Sequence, residues 1–138
     1  MRYMMLMIPA GYEKAPPGTM PEDTEAVSAM MKYNEALQEA GVLVAAEGLH
    51  PPSMGARVSF ASGEPVVTDG PFAEVKEVVG GFWIIDVASR EEAIEWARKC
   101  PGRPNETIEI RKIMEMDDFS GKIREIAEEF DMQHAKKA

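Results

Sequence analysis

Six consecutive apolar positions, residues 3–8, open the chain and stop at Pro9, a pattern that predicts a buried strand over Arg2–Ile8. Pro and Gly recur through 9–20 and mark a loop. A helix is predicted over about 22–40. Acidic residues crowd its first turn, Gly41 stands where a helix ends, and Val27, Met30, Met31 and Leu37 supply an apolar stripe. Short apolar runs then predict strands over 42–46, 56–60 and 65–68, the last two joined by a Ser62-Gly63 turn into a hairpin. A further strand spans 78–87, entered through Gly80-Gly81. Ser89 and Glu92 have the spacing of a capping box and start a second helix that reaches about Cys100. The last strand spans 107–114. Phe119, Ile123, Ile126, Ala127 and Phe130 recur at helical spacing and predict a closing amphipathic helix.

This order describes an α+β fold in which right-handed crossovers put two helices on one side of a largely antiparallel sheet, the ferredoxin-like arrangement, with a C-terminal helix appended. The strands are apolar on both faces: Met5 and Met7 oppose Met4, Leu6 and Ile8, while Trp83 and Ile85 oppose Phe82 and Ile84. Two helices cover one face, so the other needs a separate cover. A second copy of the sheet, in a homodimer, is the expected one; the alternative is the closing helix folding back within one protomer.

Composition narrows the partners. With 138 residues and 45% hydrophobic positions the chain suits a single domain, 1–138, with its core at about 1–114 and a helical extension at about 117–136. A formal charge of -9 argues against nucleic acid and anionic membrane surfaces. The apolar opening is too short to span a membrane, and the single cysteine, Cys100, asks for no oxidising compartment, so a soluble cytoplasmic protein is expected. Cys100 falls at a helix end, where the dipole opposes thiolate formation, and is read as a packing residue. The two histidines are far apart and no Gly-rich phosphate loop occurs, so neither a metal nor a cofactor is expected. The methionines of the first strand and helix are read as core fillers.

The stretch VTDGPFAEVKEVVGGFW, residues 67–83, is where chemistry concentrates. Pro71 removes a ladder donor and pushes Gly70 toward extended conformations, so Asp69-Gly70-Pro71 reads as a strand exit and not as a two-residue hairpin. Phe72 can anchor the loop by burying its ring. Asp69 serves either as a local acceptor for backbone N–H groups or as a chemical base. The run TDGPFAEVKEVVGGFWIIDVASREEAIEWARKCP, preceded by LHPPSMGARVSF, resembles the DGPF-motif branch of the YCII-related proteins. The resemblance covers nearly the whole chain to about Met114. It implies a dimeric α+β barrel, two ferredoxin-like protomers packed sheet to sheet around a cleft, and it implies motif residues at Asp69, Gly70, Pro71, Phe72, Glu74 and Lys76 with Arg57 before them. It implies no settled activity, although related dimeric barrels include isomerases and monooxygenases.

Two function classes follow. In the first, a small cofactor-independent enzyme moves a proton on an organic acid or carbonyl compound in an intersubunit cleft, as an isomerase or lyase does. Asp69 or His50 is then the catalytic base, because a carboxylate-imidazole pair has basicity near neutral pH. Arg57 offers a guanidinium fork to a carboxylate, and Phe72, Glu74 and Lys76 complete the substrate-binding set. In the second, the same pocket of a non-catalytic metabolite-binding or regulatory protein holds a small molecule. For that class the resemblance implies a setting linked to extracytoplasmic-function sigma factors.

Overall fold

Strand β1 (Arg2–Ile8) lies at the centre of the sheet because both its neighbours can pair with it, β5 (Gly81–Asp86) on one side and β6 (Thr107–Lys112) on the other. The computed structural model describes residues 1–73 and 75–135. Strand β2 (Leu43–Gly48) joins the outer edge of β5, giving the order β2-β5-β1-β6 with every pairing antiparallel. That is the strand order of the split βαβ, ferredoxin-like arrangement. The hairpin β3 (Ala56–Ser59) and β4 (Val66–Asp69) forms a separate two-stranded ribbon.

Helix α1 (Thr24–Glu39) connects β1 to β2, and α2 (Arg90–Arg98) connects β5 to β6. Asp23 starts α1 as its N-cap, accepting the N–H groups of Glu25 and Ala26. Its end is a Schellman turn: Gly41 sits at φ 73°, and the N–H groups of Gly41 and Val42 reach the carbonyls of Gln38 and Leu37. Ser89 caps α2 by accepting the Glu92 N–H. The expected capping box is only half made, because the Glu92 carboxylate accepts from Ala88 and not from Ser89. The second helix also stops short of Cys100, since Lys99 and Cys100 make the tighter i to i−3 bonds to Trp96 and Ala97.

The side chains of Tyr3, Met5, Trp83 and Ile85 meet Tyr33 and Leu37 of α1 and Ala93 of α2, and Met5, Leu37 and Ile85 are wholly buried. Each such side chain contributes about 1.5–3 kcal/mol by leaving water. Tyr33, outside the expected stripe, is its central aromatic: it meets Trp83 edge to face at 5.6 Å, and its hydroxyl donates to the Trp96 carbonyl at 2.7 Å. Met31, expected in the stripe, is exposed.

On the opposite face, register puts Met4 beside Ile84 and Leu6 beside Phe82, all half-buried. Helix α3 (Gly121–Ala135) does not cover them, for its Ile123 and Ile126 are exposed. The Arg2 guanidinium binds both Glu115 carboxylate oxygens, at 3.1 and 3.3 Å, and so ties β1 to the turn that precedes α3. Among the described residues no helix is long and apolar enough to cross a membrane.

Candidate ligand-binding site

Two places in this framework hold chemistry, the loop after β4 and a cavity under α1. The loop rests on a pedestal of two single-turn 3-10 helices, Tyr12–Lys14 and Pro52–Met54, that pack together. Tyr12 donates from its hydroxyl to the Leu49 carbonyl at 2.6 Å, and burial pushes its phenol pKa up. Gly70 lies directly on this support: its N–H donates to the Gly55 carbonyl at 2.9 Å, and a β-carbon there would overlap the Pro52 carbonyl oxygen. The chain therefore does leave the ribbon at Asp69, through a cis Gly70-Pro71 peptide.

Of the motif residues, Arg57 and Phe72 come together, with the guanidinium 4.1 Å above the ring. Phe72 is half-buried, while Lys76 is exposed. Register pairs Arg57 with Thr68 and Ala56 with Asp69, so Arg57 and Asp69 project from opposite faces of the ribbon. His50 is exposed, next to the buried Pro51, and no hydrogen bond among the described residues joins it to Asp69. Glu74 lies outside the described residues. Beneath the loop, two buried oxygens have no hydrogen-bond partner among the described residues, Glu13 Oε2 and Ser53 Oγ.

The cavity, of about 540 Å³, separates the first half of α1 from the β2 and β5 edge of the sheet. Its origin is in side-chain size. Ala26 and Val27 of α1 and Ala46 and Gly48 of β2 are among its lining residues, and a β-carbon at Gly48 would meet nothing within 4 Å. Met7 and Met30 line it with flexible thioethers, and Trp83 forms part of its wall. The Trp83 Nε1–H donates to Asn34 Oδ1 at 2.8 Å, placing the Asn34 amide in the same wall. At the rim, the Arg103 guanidinium meets the Asp23 carboxylate at 2.7 Å and clamps the start of α1 to the segment before β6. The Asp23 carboxyl is held below the ordinary carboxylate range, first by the Ala26 N–H and further by Arg103.

The sequence reading passed over Asn34, yet the signal was present. It lies seven residues after Val27 and four after Met30, a polar residue within an apolar helical stripe. Cys100 is half-buried in the core's margin, and burial pushes its thiol up to about 11, which fits packing and not nucleophilic chemistry.

The arrangement defines a small α+β protein with one helix-covered sheet face and a ligand-sized cavity beneath the helix. Residues 1–117 match the YCII-related domain, and the chain belongs to that family. A protein of Rhizobium meliloti (strain 1021), named as uncharacterised, is 39% identical over 77 residues, which are 56% of this chain. The matched part spans 62% of that relative's length.

Proposed function

We propose that this chain is a non-catalytic metabolite-binding protein that works as a homodimer. The observation that carries the reading is the 540 Å³ cavity, which falls within the range of small-molecule sites and combines apolar walls with a fixed amide. The chemical groups proposed for catalysis lie elsewhere: within one protomer Arg57 and Asp69 diverge across the ribbon. A dimer is supported by the half-buried apolar face and by a ribbon whose residues are all exposed, including Val58, Val66 and Val67, with Phe60 exposed in the turn beside them. Placement in the DGPF-motif branch rests on Asp69-Gly70-Pro71-Phe72, and a bacterial cytoplasm with a link to sigma-factor signalling is the setting that branch implies.

The test is a thermal-shift screen of apolar metabolites on the wild type and on Ala46→Phe, whose ring would fill the cavity. Binding at a hundredfold excess over Kd adds about 2.7 kcal/mol of stability, so true ligands raise the wild-type midpoint and leave the variant unmoved. Ligands that stabilise both proteins alike would remove the cavity from consideration.

A second reading is favoured by the unpartnered Glu13 and Ser53 oxygens under the loop, which suit a polar guest. Here Asp69 or His50 acts as base and Arg57, Phe72, Glu74 and Lys76 bind an organic acid or carbonyl compound, with the set completed across the dimer. Deuterium wash-in at C3, the carbon next to the ketone, of a panel of 2-oxo acids, abolished in Asp69→Asn, is its expected signature. The absence of wash-in across the panel leaves the binding reading alone.

A further inference from the structure

We infer that the cavity under α1 selects neutral apolar molecules bearing one carbonyl-type acceptor, and that Asn34 is the residue that reads the acceptor. The inference rests on the cavity being the ligand site. The indole Nε1–H of Trp83 is a donor only, so the atom of Asn34 facing it at 2.8 Å must be the oxygen. That fixes the amide plane and leaves both Nδ2 hydrogens for other partners. Among the described residues Nδ2 donates no hydrogen bond, and Asn34 is a lining residue of the cavity. The wall therefore presents a donor pair beside the apolar side chains of Met7, Met30 and Trp83. The guest that satisfies it carries a ketone, ester or amide oxygen on a hydrocarbon or aromatic body, which Met7, Met30 and Trp83 are suited to pack.

Charge disfavours the corresponding anion. Glu106 lines the cavity together with Arg103, the one cation among its described lining residues, whose guanidinium meets Asp23 at 2.7 Å; Glu47 pairs with Phe82, so its carboxylate projects from the other face of the sheet. The whole chain carries a formal charge of -9. A carboxylate entering this mouth meets Glu106 and must share the Arg103 guanidinium with Asp23, whereas a neutral carbonyl meets neither cost.

Three probes of one shape separate the terms: 2-acetylnaphthalene, 2-ethylnaphthalene and 2-naphthoate, titrated calorimetrically into the full chain while the Trp83 Nε1–H resonance is followed by NMR. The ketone is expected to bind about tenfold more tightly than either of the others and to shift the Trp83 resonance. In Asn34→Asp, which keeps an acceptor for Trp83 but removes the amide donors, the ketone should lose its advantage over the hydrocarbon. The thermal midpoint and far-UV circular dichroism of the variant serve as the controls for folding. Equal affinity of all three probes, abolished by Ala46→Phe, would overturn the carbonyl inference and leave the cavity reading standing. Tightest binding of the naphthoate would overturn it likewise. No binding of any probe, or binding indifferent to Ala46→Phe, overturns the cavity reading itself.

Discussion

Gly70 is the position where a single added methyl does most harm, because the obstacle is main chain. A β-carbon there would overlap the Pro52 carbonyl, in a turn that also accepts no sideways shift without losing the Gly70 N–H bond to Gly55. Gly70→Ala should therefore cost about 3 kcal/mol, read from the denaturant midpoint, and a cost within error of zero would mean that the loop is not seated on the pedestal. Asp23 gives a prediction with a sign. Its folded pKa is depressed by Ala26 N–H and Arg103, so its stabilisation is fully present above the unfolded carboxylate value of about 3.9 and is lost as pH falls through the lower folded value. Wild type and Asp23→Ala should differ in stability by a constant amount at neutral pH and converge as the pH falls through the depressed folded value, a difference independent of pH being the contrary result. At this scale the sequence was informative where a residue's own chemistry decides, as in the strand exit at Asp69-Gly70-Pro71. Even the divergence of Arg57 from Asp69 was legible, since the Ser62-Gly63 turn already sets Arg57 opposite Thr68. The position of His50 was not, for residues 49–55 carry no periodicity from which a direction follows.

Helix α1 is the element on which the cavity depends, and its two ends hold it by different means. Asp23 and Arg103 secure the start, while the Schellman turn at Gly41 sets the angle at which the chain enters β2. Gly41 has nothing within 4 Å of an added β-carbon, so a substitution there is opposed by its φ of 73° alone. Gly41→Ala should cost about 1–2 kcal/mol. Because no neighbour is displaced, ligand affinity measured well below the melting midpoint should be unchanged; a loss of affinity would show that the turn positions the cavity wall. Caps and hydrophobic spacing made all three helices legible to within a few residues. The 3-10 pedestal was not legible, because single turns rest on tertiary contacts such as that of Tyr12 with Leu49 and leave no repeat in the sequence. The cavity escaped for a related reason. Ala26, Ala46 and Gly48 are unremarkable along the chain and line one cavity only because the fold brings α1 over β2.

At the scale of the whole molecule the unresolved balance is the uncovered sheet face. The alternation of Met4, Leu6, Phe82 and Ile84 was visible in the sequence, and α3, with Ile123 and Ile126 exposed, leaves that face open within the protomer. The apolar residues of the β3-β4 ribbon add to the same demand, and an isolated two-stranded ribbon is at best marginally stable in water. The second copy proposed above would answer both. Leu6 and Phe82 are direct cross-strand neighbours, so Leu6→Lys combined with Phe82→Glu offers the monomer an ion pair across β1 and β5 while placing charges in any sheet-to-sheet interface. Desolvating those charges should weaken the dimer by at least about a hundredfold in Kd. Sedimentation velocity over a dilution series, with far-UV circular dichroism on the same samples, reads the outcome: the wild type should sediment as a dimer and the double variant as a folded monomer. A wild type that is monomeric at every concentration would end the homodimer proposal. A double variant that remains dimeric would move the interface to the ribbon and α3, whose apolar side chains would then be sufficient to hold the two copies together.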